Sequence, residues 1–145
     1  MLPAGVQPGD VYTIFDYVFG DNQTADSKYY VVMGVYKGQI AGFVTTSKEK
    51  RGRKRKEGCQ AGSPGYPWNY YLKTTGKPFK DGTWVVLGLE WQNANELAAR
   101  ITGGRAVRAM TLSDGQIRAL RNCFEDSPEW AEVCGDFMYG GKAAK

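Results

Sequence analysis

The sequence predicts a mainly β protein with helices gathered at its carboxy-terminal end, an α+β class. Its apolar residues come in short β-branched and aromatic runs (YYVVMGVY, QIAGFVTT, TWVVLGL) that suit strands better than helices. Nineteen glycines in 145 residues separate those runs with tight turns. The best helix-start signature comes late, at Ser113. With 42% hydrophobic and 13% aromatic residues the chain has the apolar surface for a core, and its length suits one domain spanning residues 1–145.

The elements follow in order. A first strand is expected over residues 10–19 after the Pro8-Gly9 turn, then a polar loop over 20–27. Residues 29–36 and 39–46 read as the two arms of a hairpin turning at Lys37-Gly38. Residues 47–67 show no period, and an aperiodic stretch of that length inside a domain points to a functional or disordered loop. Strands are expected again over 68–72 and 83–89, with a turn at Thr75-Gly76 between them. A short helix over 95–101 ends at Gly103-Gly104, and a last edge strand covers 105–110. Ser113 with Gln116 forms a capping box, and Leu112 with Ile117 a hydrophobic staple. Ile117, Leu120 and Phe124 then share one helical face, with Cys123 beside them. A second short helix starts at Ser127-Pro128 and stops at Gly135, so the helical segment covers about 112–135, and the tail from Tyr139 is expected to fray.

Several function classes drop out. The absence of histidine removes the commonest general base and zinc ligand, hence His-containing triads, His-based metal sites and a two-histidine ribonuclease mechanism. No apolar run is long enough to span a bilayer, and the first ten residues lack the pattern of a signal peptide. Three cysteines without CxxC spacing imply neither a disulfide framework nor a metal site. Cys123 and Cys134 are expected to pack in the core, while Cys59 sits alone beside basic residues, where a reactive thiol is the alternative. The reading is a cytoplasmic protein without membrane contact, metal or cofactor.

Charge is distributed very unevenly. Residues 48–56 (KEKRGRKRK) hold seven basic residues, Lys48, Lys50, Arg51, Arg53, Lys54, Arg55 and Lys56, against Glu49. That local +6 leaves the rest of the chain at −2 out of a net +4. So many like charges resist dehydration, and the segment is expected to stand in water as a loop. Clustered Lys and Arg gain affinity for a polyanion by releasing its counterions, which makes a nucleic-acid backbone the natural partner. Tyr66 and Trp68 follow closely and are candidates for stacking unpaired bases, although Trp68 alternates with Tyr70 as a core face would. The alternatives are a loop that only confers solubility, or an import patch. In the hairpin, Lys28 and Thr46-Ser47 lie about equally far from the turn, which brings an ammonium and two hydroxyls together beside the basic loop. The alternative is that they are ordinary polar strand ends. Asp81, in the turn before Thr83, is the candidate base.

Read in order, Pro8-Gly9-Asp10-Val11-Tyr12, Lys28-Tyr29-Tyr30-Val31-Val32-Met33, Gly42-Phe43-Val44-Thr45-Thr46-Ser47 and the stretch 107–120 resemble the PemK/MazF toxin family. Lys28-Tyr29 stands where the family usually has Arg-Pro. The resemblance implies a small, half-open, SH3-like β-barrel over about 8–110, with the basic loop 47–67 inserted in it. It also implies metal-independent endoribonuclease activity on single-stranded RNA, an antitoxin protein partner and a homodimer. Under it Lys28, Thr46, Ser47 and Asp81 are the catalytic candidates, with Lys28 stabilising phosphorane charge. A non-catalytic nucleic-acid-binding or protein-adaptor module on the same barrel, such as a phage or mobile-element accessory factor, is the competing function.

Overall fold

The centre of the molecule is a hairpin of β2 (Lys28–Tyr36) and β3 (Gln39–Thr46). A computed structural model of the chain describes residues 2–17, 27–47, 53–63, 67–73, 79 and 82–140. Lys37 and Gly38 both take positive φ, 49° and 80°, with Tyr36 opposite Gln39. Two left-handed residues in sequence give the turn whose twist matches that of the strands it joins, so Lys37 bears a strain that Gly38 does not. The ladder shifts register between Val32 and Gly34, a bulge. Gly34 has no room for a side chain, because the carbonyl of Met138 crosses directly over it.

Seven strands run β4-β5-β6-β3-β2-β1-β8 across one antiparallel sheet. On one side of the hairpin lie β1 (Asp10–Ile14) and the edge strand β8 (Ala106–Thr111). On the other, the end of β3 pairs with β6 (Thr83–Val86), which carries β5 (Asn69–Leu72) and the short edge strand β4 (Gly58–Gln60). Two further strands complete the sheet: β7 (Glu90–Gln92) pairs with the start of β3, and β9 (Phe137–Met138) with the end of β2. The edges β4 and β8 are not paired to each other among the described residues, so the sheet is open. The class is therefore mainly β, with three helices among the described residues, α1 (Ala94–Thr102), α2 (Asp114–Asp126) and α3 (Pro128–Val133).

Alternation along the strands sorts the core into two clusters. The larger one joins Val11, Val31, Phe43, Leu72 and Val85 to Leu120, Phe124 and Val133 of α2 and α3. Phe124 is its hub, meeting Phe43, Trp130 and Phe137 edge-on at ring separations of 5.2, 5.2 and 5.3 Å. The smaller cluster joins Ile14, Tyr17, Tyr30, Val32 and Ile40 to Leu97 of α1. The expected capping box is present, with Gln116 N donating to Ser113 Oγ at 3.2 Å and Ser113 N to Gln116 Oε1 at 3.0 Å. None of the described helices is long and apolar enough to cross a membrane.

Four expectations need correction. The first strand ends at Ile14 and turns at Phe15-Asp16; residues 18–26 lie outside the described ones. The strand expected over 83–89 is shorter, since β6 stops at Val86 and the next strand, β7, starts only at Glu90. Tyr139 is not frayed: its hydroxyl donates to Glu125 at 2.6 Å, and the Arg121 guanidinium lies 3.8 Å from its ring. The fourth concerns the cysteines. Cys59, on β4, is bonded to Cys123 of α2 in a disulfide with Cα atoms 5.4 Å apart, and Cys134 is exposed rather than packed. Spacing rules could not show a pair 64 residues apart, which becomes a pair only when β4 folds onto the face of α2. The Thr75-Gly76 turn lies outside the described residues.

Candidate nucleic-acid interface

Sheet register assembles the candidate site. Thr46 lies opposite Trp84, Trp84 opposite Tyr71, and Tyr71 opposite Gly58. On the other side of β3 the ladder with β2 runs out to the pair Tyr30–Val44; Lys28 and Thr46 each lie two residues beyond it, Lys28 opposite Ile14 of β1. Directly paired residues point to one face, so Thr46, Trp84 and Tyr71 form one row across three strands, while Lys28 shares the face of Tyr30 as Thr46 shares that of Val44. Thr83 Oγ donates to the Thr46 carbonyl at 2.8 Å and fixes the end of β3 onto β6. Lys28 and Thr46 are partly exposed and Ser47 is exposed, as a site at the strand ends requires.

The described half of the basic segment folds back onto that row. Trp84 Nε1 donates to the Lys54 carbonyl at 3.1 Å, and the Arg55 guanidinium lies 5.3 Å from the Trp84 ring, within cation–π range. Gln60, on β4, clamps the same turn. Its Oε1 accepts from Lys54 N at 3.0 Å, and its Nε2 donates to the carbonyls of Lys54 at 2.6 Å and Lys56 at 3.2 Å. Lys54, Arg55 and Lys56 remain exposed.

Arg53 corrects the expectation of a wholly solvated run. It is only 9% exposed, and its Nε donates to Oδ1 of Asn69, itself 1% exposed, at 3.2 Å. Asn69 Nδ2 in turn donates to the Pro67 carbonyl at 2.9 Å. Burying a guanidinium requires hydrogen-bond acceptors, and an amide on β5 supplies one. Arg53 thus anchors the segment, while the three residues after it face water. Trp68 is half-buried against the larger core cluster, which makes it a packing residue more than a free stacking platform. Lys48, Lys50, Arg51, Tyr66 and Asp81 lie outside the described residues.

Sequence reasoning missed Gln60, Asn69 and Trp84, whose roles depend on chain crossings that have no local signature. It also missed two buried polar groups elsewhere. Asp10 accepts from Thr111 Oγ at 2.9 Å and from Gln7 N at 3.0 Å, with Arg108 at 3.9 Å, and so pins β1 to the edge strand β8. Tyr17 donates to Glu90 Oε1 at 3.1 Å, and Tyr30 to the Glu90 carbonyl at 2.7 Å. Burial first, and then the neighbouring charge of Glu90, hold the Tyr17 hydroxyl well above its ordinary pKa, so it serves as a donor. Among the described residues no group of three or more Cys, Asp or Glu side chains could hold a metal ion.

Comparison with protein-family models, with curated proteins and with solved structures finds no match to this chain.

Proposed function

We propose that this protein grips a nucleic-acid backbone through Lys54, Arg55 and Lys56 and cleaves single-stranded RNA at the adjoining row, without a metal, as the PemK/MazF resemblance implies. One observation carries the reading: the described part of the basic segment, Arg53 to Lys56, is fastened over Trp84, the cross-strand neighbour of Thr46. Cations so placed would hold the polyanion against the strand ends. There the Lys28 ammonium would offset charge developing on a phosphorane, and the hydroxyls of Thr46 and Ser47 would hold its non-bridging oxygens. Lys28 supplies a point charge and not a bidentate fork, so orientation falls to the hydroxyls. The open sheet, with β3 shared between β2 on one side and β6 and β7 on the other, fits a half-open SH3-like barrel. An antitoxin-like inhibitor would act by covering the row. Cytoplasmic location belongs to the same proposal.

The test is incubation of the purified chain with labelled single-stranded RNA in EDTA. Cleavage is expected, and Lys28→Ala should slow it by about 10²-fold or more, the usual loss when an electrostatic stabiliser is removed, with the fold intact by circular dichroism. Undiminished cleavage by that variant would remove Lys28 from the mechanism. Binding without cleavage would leave a gripping module.

A further inference from the structure

We infer that the Cys59–Cys123 disulfide is a redox gate on the nucleic-acid-gripping segment; the inference rests on the function proposed above. The two sulfurs sit in unlike places. Cys123 is 1% exposed on the core face of α2, whereas Cys59 is exposed on β4, a three-residue strand at the sheet edge. The bond therefore ties a marginal edge strand to the interior of the protein.

The basic segment is fastened to that same strand. Gln60, the residue after Cys59, holds the backbone of Lys54 and Lys56 through three hydrogen bonds. Among the described residues β4 pairs only with β5, through Gly58, Cys59 and Gln60. A strand this short has little stability of its own, so a covalent link to α2 governs how firmly Gln60 presents the cations. Reducing compartments keep most cysteine pairs as dithiols, so the gate would be open there and shut under oxidation.

The step is thiol–disulfide exchange with a dithiol reductant, which supplies both electrons. Its thiolate attacks the exposed Cys59 sulfur, the Cys59–Cys123 bond breaks, and Cys123 leaves as a thiolate that takes up a proton. The second thiol of the reductant then attacks its own sulfur in the mixed disulfide and releases Cys59. The protein gains two thiols, and the reductant becomes a disulfide. With β4 released, the segment keeps its ties to Asn69 and Trp84 but loses the three from Gln60, so the stretch through Lys56 must be ordered at the moment of binding, which weakens the grip.

The experiment uses the full chain carrying Cys134→Ser, so that every thiol counted belongs to this pair. Thiol titration should find none before dithiothreitol and two after it; two free thiols in the air-oxidised protein would overturn the inference. A fluorescent 20-mer of uridine should bind about tenfold more weakly after reduction. Hydrogen exchange should show residues 53–60 losing far more protection than β2 and β3, whose loss should not exceed the fall in global stability. Equal affinity in the two redox states, with the oligonucleotide bound in both, would refute the gate and leave the binding reading standing. If neither state binds RNA, the binding reading fails and the gate falls with it. Protection lost equally throughout the sheet on reduction, with no extra loss at residues 53–60, would also overturn it, because the disulfide would then be a structural staple.

Discussion

Two halves of the sheet are held together by different physics. The hairpin β2–β3 with β1 is secured by alternating apolar side chains that fill the core from both faces, Val31 and Phe43 toward α2, Tyr30, Val32 and Ile40 toward α1. The wing β4–β5–β6 also sends Leu72 and Val85 into the core, but its outer edge is fastened by specific polar and covalent links: Arg53 to Asn69, Gln60 to Lys54, Trp84 to Lys54, and Cys59 to Cys123. Apolar burial is spread over many close-packed contacts and no single one decides it, whereas each of these links acts at one point. A rigid half thus supports a half whose placement can be altered by breaking one link, a sensible division where the second half carries the contact surface.

The comparison can be broken hardest at Phe124. Removing that hub, Phe124→Ala, should cost about 3–5 kcal/mol in urea denaturation and loosen both α2 and the hairpin beneath it. Cys59→Ala should cost about 2–4 kcal/mol, because its partner closes a loop with a sequence separation of 64. In contrast to Phe124→Ala, its early loss of hydrogen-exchange protection should be confined to β4 and the segment before it. Asn69→Ala should cost about 1.5–3 kcal/mol by taking an acceptor from a buried guanidinium, and Arg53→Met in the same background should recover part of it. Ser113→Ala, which touches neither half, should cost only about 1 kcal/mol.

The smallest effect is a dependence on pH. Burial raises the Glu129 carboxyl above the ordinary range, the Leu89 N–H it accepts opposes the shift, and Glu132 and Glu90 add to it. A carboxyl with a raised folded pKa binds its proton more tightly in the folded state. Its contribution to stability is therefore present at low pH and is lost as pH rises from the unfolded value through the folded one. Glu129→Gln should flatten that fall just above the ordinary carboxylate range. An unchanged slope in thermal melts would remove Glu129 from the account.

What the sequence disclosed divides along the same line. The hairpin, its turn, the edge strand β8 and the capped helix α2 were all legible, because periodicity, turn chemistry and capping are local. The three residues of β4 have weak strand propensity, and nothing near Cys59 points to Cys123. Arg53 looked like one cation among seven, since the amide that makes its burial tolerable lies across the sheet. Counting outward from the turn places Lys28 level with Thr46-Ser47, but the one-residue shift at the Val32–Gly34 bulge and the role of Trp84 in holding the basic segment there were not legible.

The central claim is that Lys54, Arg55 and Lys56 are presented to a polyanion beside the ends of the hairpin. The most direct measurement is the salt dependence of single-stranded RNA binding by the chain and by a variant with all three changed to alanine. The logarithm of affinity against the logarithm of salt should have a slope shallower by about 2 in the variant, from three fewer phosphate contacts. Equal slopes would contradict the account.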